Sequence, residues 1–123
     1  MNNKQLVLAA ITGVFVNRDI TAFDQYFSAN YIQHNPQLPN GTTALKQFIP
    51  TLSNTFNYES GAVTENENLV MIHGRYTDWN GKNMIAVDIF RVENGKIAEH
   101  WDVMQEEVTA DKTANGNAMF PIN

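Results

Sequence analysis

The sequence predicts an α+β domain in which helices come first and a curved antiparallel sheet follows. Apolar residues recur at helical spacing over the first half of the chain, and from Tyr58 the period changes to alternation. The alternating runs are joined by short connections, Glu67-Asn68, Asn80-Gly81-Lys82 and Asn94-Gly95, of the kind that closes antiparallel hairpins. Helices preceding such a meander cover one face of it. At 123 residues the chain suits one core, so a single domain over 1–123 is expected.

Residues 3 to 17 read as a first amphipathic helix, because Leu6, Val7, Ala10, Ile11, Val14 and Phe15 form one stripe. Lys4 ahead of this run gives it the look of a secretory signal, yet no small-x-small cleavage site follows and the run ends in Asn17-Arg18-Asp19. A second short helix is expected from Thr21, as N-cap, through Phe23, Tyr26 and Phe27. Tyr31 to Asn35 reads as a short extended segment, stopped by Pro36 and the Pro39-Asn40-Gly41 turn. Thr42 or Thr43 caps a third helix carrying Leu45, Phe48, Ile49, Leu52 and Phe56. Pro50 should kink or split that helix, since it removes a backbone donor and clashes with the preceding turn. Strands are expected at about 58–66, 69–79, 83–93 and 96–106. From Glu107 the chain loses periodicity until Ala118-Met119-Phe120. This end is either a loose tail or a strap whose Met119 and Phe120 dock on a pocket rim or a second subunit.

Composition narrows the function. A hydrophobic fraction of 43% with seven Phe, four Tyr and two Trp fits a packed globular core rather than a disordered chain. The absence of cysteine excludes disulfides, thiolate metal sites and cysteine nucleophiles. A net charge of −5 with scattered Lys and Arg offers no basic stripe for nucleic acid or anionic lipid, and no apolar stretch is long enough for a membrane span. A cytoplasmic protein without nucleic-acid or membrane partners is expected. No Gly-x-Gly-x-x-Gly, Walker or Gly-x-Ser-x-Gly pattern occurs. No His-x-x-x-His or similar close ligand pair signals a metal, so neither metal nor cofactor is expected.

The chemistry concentrates in the last hairpin. One face of its first arm carries Ala86, Asp88 and Phe90, and one face of its second carries His100, Asp102 and Met104. If that face is covered, Asp88, His100 and Asp102 share a partly apolar pocket, where desolvation and mutual coupling move pKa values. Alternation alone leaves Asp102 free to point inward or to sit exposed beside a cation. Asp88 lies in a strand apolar on both sides. There it is either ion-paired with Arg75 or Arg91, or a protonated donor or partner to a histidine. Met71, His73, Arg75, Thr77 and Trp79 share a face of the preceding strand. His73 is either a hydrogen-bonded core residue or part of the coupled group. His34 either pins the turn before Pro36 or joins the pocket.

Tyr31-Ile-Gln-His-Asn-Pro36, the helix after Gly41, Val87-Asp-Ile-Phe-Arg-Val92 and Gly95-Lys-Ile-Ala-Glu-His-Trp-Asp102 together resemble the SnoaL-like branch of the NTF2-like superfamily, from the first helix to about Gln105. The resemblance implies a cone, in which a strongly curved sheet wraps around the helices and leaves a deep apolar pocket, and it implies homodimers paired through the sheet. It implies roles too. Asp102 matches the acid/base aspartate of SnoaL-type polyketide cyclases, which close a ring by intramolecular aldol condensation. Asp88 matches a position that in ketosteroid isomerase, a cousin on the same fold, holds a protonated acid donating to an oxyanion. The carboxylate base of that cousin falls at Asn35, which cannot take a proton.

The resulting expectation is a cofactor-free acid/base enzyme acting on a small, largely apolar carbonyl compound through an enolate. Asp102, His100, Asp88 and His73 are its catalytic candidates, and His34, Asn35, Arg75, Phe90, Met104 and Trp79 its substrate-binding candidates. The alternative is a non-catalytic binding or dimerisation module of the same fold. A weaker third reading, epoxide or ester hydrolysis by an aspartate-activated water, needs an arginine in the relay, and Arg75 is the only one on the presumed pocket face.

Overall fold

The structure, a computed structural model, describes residues 1–122. Helix α1 (Asn3–Ile11) starts at a capping box, in which the Asn2 side chain accepts from the Gln5 amide at 2.8 Å and the Gln5 side chain accepts from the Asn2 amide at 3.0 Å. The helix continues as a π turn over Thr12–Val16, so the expected helix widens in its last turn. Val7, Ala10, Ile11 and Val14 are its buried stripe. A Cβ on Gly13 would lie 3.0 Å from Ala22 Cβ, so glycine lets this helix press against helix α2 (Thr21–Tyr26). Thr21 is the first helical residue rather than the N-cap. The local capping acceptor is Asp19, whose carboxylate takes the Thr21 amide at 3.0 Å and its hydroxyl at 2.6 Å.

Strand β1 (Phe27–Gln33) begins four residues earlier than the expected segment, and Phe27 belongs to it rather than to the helix. Its partner lies far along the chain, in parallel pairing with the last strand (Lys96–Glu106), and local pattern carries no trace of such pairing. Helix α3 (Thr43–Phe48) is split at Pro50 as expected. The chain passes into a 3-10 turn over Ile49–Thr51, where proline takes an early position that needs no backbone donor. Leu52 and Phe56 leave the helix yet stay buried.

Strands β2 (Asn57–Asn66), β3 (Leu69–Trp79), β4 (Lys82–Glu93) and β5 (Lys96–Glu106) form the antiparallel meander. The sheet order is β1-β5-β4-β3-β2, so the parallel β1 makes the sheet mixed where an antiparallel one was expected. Positive φ at Asn80, Gly81, Asn94 and Gly95 gives the two Asn-Gly hairpin loops the twist their strands require. A register shift interrupts each strand pair, which is how a sheet bends around helices without closing. Val70, Ile72 and Tyr76 of β3, Ala86, Phe90 and Val92 of β4 and Ile97 of β5 are buried in the core with Val7, Val14 and Ile49 of the helical half. Each fully buried aliphatic side chain contributes about 1.5–3 kcal/mol.

The chain end is a strap on the outer face of its own sheet. Arg75 holds its start through two hydrogen bonds to Glu107, at 3.1 and 2.8 Å. Phe120, 6% exposed, stacks on the His73 ring with centroids 5.5 Å apart and lies 4.8 Å from the Arg75 guanidinium. A Cβ on Gly61 would come within 2.8 Å of the Phe120 ring, so only glycine leaves that seat open. Of the alternatives open in the sequence, the end is a strap rather than a loose tail, and its Phe120 docks on the face of the sheet away from the pocket rim. No helix among the described residues is long and apolar enough to cross a membrane.

Candidate functional site

A cavity opens between the concave face of the sheet and the helices. Its enclosed volume is about 50 Å³, so its interior is narrow. Phe15, Phe23, Phe27, Leu38, Leu45, Trp79, Phe90 and Met104 supply apolar wall, and Tyr31, Gln33, Asn35, Tyr76, Asp88, His100 and Asp102 supply polar groups. An apolar recess with a few convergent polar groups is the usual form of a small-molecule site.

The polar groups form one connected network. Asp88 on β4 is directly opposite Asp102 on β5, with Phe90 opposite His100, so one patch of sheet presents all three titratable groups. His100 Nε2 lies 2.7 Å from Asp88 Oδ1 and 3.8 Å from Asp102 Oδ2. The Tyr76 hydroxyl donates to Asp88 Oδ2 at 2.7 Å. Both Asp88 oxygens are thus occupied, one by Tyr76 and one by His100. Neither Arg75 nor Arg91 reaches Asp88: Arg75 pairs with Glu107 and Glu59, and Arg91 with Glu99 and Glu93. Asn35 donates its side-chain amide to both oxygens of Asp102, at 3.1 and 2.9 Å. On the far side of the imidazole, His100 Nδ1 lies 2.6 Å from Gln33 Oε1.

Electrostatics follow from this burial. Desolvation pushes the Asp102 carboxyl up from its ordinary range, while the Asn35 hydrogen bonds and the positive field of His100 pull it down and the Asp88 charge adds to the rise. Burial and the Asp88 charge also push the hydroxyls of Tyr31, Tyr58 and Tyr76 upward, so Tyr76 stays a neutral donor to Asp88. Asp88, His100 and Asp102 each offer one ligand-capable atom, all within 4.8 Å of one another, so these are the residues able to hold a metal ion. Alternation placed these three on one face, but no ligand spacing along the chain marked them for a metal, because they meet across strands.

The expected site residues divide between the two faces. Asp88, Asp102, His100, Asn35, Phe90, Met104 and Trp79 line the cavity. Trp79 does so because the register shift after Tyr76, with Asp78 at φ 57°, turns it away from the face of its alternation partners. His73 and Arg75 lie on the outer face beneath Phe120 and take no part in the cavity. The third reading, hydrolysis through an arginine relay, loses its arginine. His34 is outside as well: it stacks on Trp101 with centroids 4.8 Å apart and pairs with Glu99 at 2.7 Å. His34 and Asn35, just past the end of β1, point to opposite sides, His34 onto Trp101 and Asn35 into the cavity. Alternation is the signal that would have found Gln33, which the sequence reading passed over, since Tyr31, Gln33 and Asn35 fall on one side. Tyr76 carried no such signal, because an aromatic residue in a strand is core by default.

The family model described as the SnoaL-like domain matches residues 7–100. No curated protein matches the chain in sequence. Among solved structures, an NTF2-like protein of unknown function from Cytophaga hutchinsonii superposes with a TM-score of 0.73 at 19% identity, covering 85% of this chain and 91% of the other. IdmH, a proposed polyketide cyclase from Streptomyces antibioticus, gives 0.63 at 16% identity, with 85% and 92% covered. AclR, a proposed hydroxylase from Streptomyces galilaeus, gives 0.66 at 18% identity, with 84% and 74% covered. At these identities the likeness is one of fold: an α+β cone of the NTF2-like type.

Proposed function

We propose, from the premise that this chain belongs to the SnoaL-like domain family, that it is a cofactor-free acid/base enzyme acting on a small, largely apolar carbonyl compound through an enolate. The observation that carries this reading is Asp102, a carboxylate in an apolar cavity whose pKa is raised by burial, with a histidine nitrogen 3.8 Å away. Raising a carboxylate toward neutrality makes it a stronger base at working pH, provided it reaches the substrate proton. Asp102 abstracts the proton α to the carbonyl, and Asn35 holds its carboxylate in position. The proton between His100 Nε2 and Asp88 hydrogen-bonds the developing enolate oxygen, in a setting where water does not screen it. Return of the proton to another carbon gives isomerisation, and attack of the enolate carbon on a second carbonyl gives aldol closure. Leu38 and Met104, both half-buried in the cavity wall, are the side chains that yield to admit a ring-sized substrate.

The deciding experiment is α-proton exchange into deuterated buffer for a panel of small ketones and aldehydes, with wild type beside Asp102→Asn. Catalysed exchange that disappears in the variant supports the reading. Exchange that survives removes Asp102 from the mechanism. Absence of exchange with members that bind leaves the second reading, a ligand-binding module. That reading is favoured by one feature: the hydrogen bonds of Asp88 are complete without any ligand. We also propose pairing of two copies through the outer face, where Val103 is 72% exposed directly opposite the exposed Val87.

A further inference from the structure

Gln33 presents one oxygen to three donors. Its Oε1 accepts from the main-chain amide of His34 at 3.1 Å, from that of Asn35 at 3.0 Å, and lies 2.6 Å from His100 Nδ1. Two main-chain N–H groups on the same terminal atom fix that atom as the carbonyl oxygen, so the side-chain amide cannot be turned the other way. A further anchor is Gln33 Nε2, which donates to the Tyr31 hydroxyl at 3.3 Å. The backbone holds the residue from both sides: Gln33 is directly opposite His100 in the parallel β1–β5 pair, and its amide donates to the Asn40 side chain at 2.9 Å.

We infer that Gln33 is a positioning residue, a fixed acceptor that keeps the proton of His100 on Nδ1 and so leaves Nε2 to share a single proton with Asp88. This rests on the proposed function for its catalytic meaning but not for its chemistry. With Nδ1 protonated, two arrangements of the pair satisfy the short Nε2 to Oδ1 contact: an imidazolium facing a carboxylate, or a neutral imidazole facing a carboxylic acid. Both hold the same number of protons. The deprotonated alternative, Nε2–H facing the carboxylate with a bare Nδ1, sets a lone pair against the Gln33 oxygen and is disfavoured. Gln33 thereby turns the Nε2 side of the imidazole to Asp88 at the cavity wall. The groups around His100 are Asp88 from β4, Asp102 from its own strand, Tyr76 from β3 and Tyr31 from β1, with the Phe90 ring packed at 4.8 Å.

The test is side-chain ¹⁵N NMR of His100 across pH in wild type, Gln33→Met and Gln33→Glu, which needs no substrate. Wild type is expected to keep Nδ1 protonated. Gln33→Met removes the acceptor, so the tautomer with bare Nδ1 appears. Gln33→Glu restores an acceptor oxygen and with it the Nδ1 proton. If Gln33→Met folds with His100 still protonated on Nδ1, or if Gln33→Glu fails to restore that proton in a folded protein, the inference is wrong. The kinetic counterpart is the exchange assay, where Gln33→Met should lower the turnover rate about tenfold or more, with KM changed less. An NMR result as expected, with no exchange in wild type, overturns the enzymatic reading and leaves the role of Gln33 standing.

Discussion

Replacing Asp88 by Ala takes away the acceptor of two buried donors at once. Asp88 and His100 are 4% and 6% exposed, and Tyr76 is 5% exposed, so water does not replace the lost partner. Leaving the Tyr76 hydroxyl unpaired costs about 1–3 kcal/mol, and stranding a histidine beside an empty carboxylate site costs more if the ring is charged. Together the expected loss is about 3–5 kcal/mol, the range for breaking a buried pair. With a urea dependence of about 2 kcal/mol per molar, the unfolding midpoint falls by roughly 1.5–2.5 M. Urea titration followed by tryptophan fluorescence and by circular dichroism reads this directly. The companion is His100→Ala alone and combined with Asp88→Ala: contacting residues in one network should couple by about 0.5–3 kcal/mol. A midpoint shift below about 0.5 M, or a double variant whose loss equals the sum of the single losses, would refute the account of Asp88 as the shared acceptor.

Further outcomes follow from the same geometry. Because the folded-state pKa of Asp102 is raised, its contribution to stability is fully present below the unfolded carboxylate range and is lost as pH rises through the folded value. Asp102→Asn should therefore gain stability relative to wild type as pH rises above the unfolded carboxylate range, which urea midpoints at several pH values will show; a constant difference contradicts it. Tyr58 carries a buried hydroxyl without a partner among the described residues, so Tyr58→Phe should be neutral or stabilising by up to about 1 kcal/mol in thermal melts. Gly74→Ala places a Cβ 2.7 Å from that hydroxyl and should cost about 1–3 kcal/mol, partly recovered in combination with Tyr58→Phe. Phe120→Ala should cost about 2–4 kcal/mol and raise hydrogen exchange over 107–122 while leaving the cavity residues protected. Val103→Glu should yield a folded monomer by sedimentation if two copies pair through the outer face.

Much of this protein was legible in one dimension. Change of period at Tyr58, the Asn-Gly loops and Pro50 are local signals, and local signals set the order of helices and strands, the two Asn-Gly hairpin turns and the break in the third helix. The placing of Asp88, His100 and Asp102 on one face was also legible, because alternation along two arms of one hairpin fixes it, although which face is concave was supplied by family resemblance and by the structure. What lay beyond reach depends on contacts between distant segments. The parallel docking of β1 on β5 brings Gln33 to His100 across 67 residues, and no pattern within either strand records it. Trp79 faces inward because one register shift inverts the alternation that the sequence otherwise obeys. His73 and Arg75 were assigned to the pocket on the strength of chemistry alone, and the strap that covers them, seated on the other side by Phe120, shows that side-chain type without burial and facing does not make a site. Residue types limit which chemistry is available, but pairing across the sheet determines which groups share a proton, because hydrogen bonds and desolvation depend on distances that only the folded chain sets.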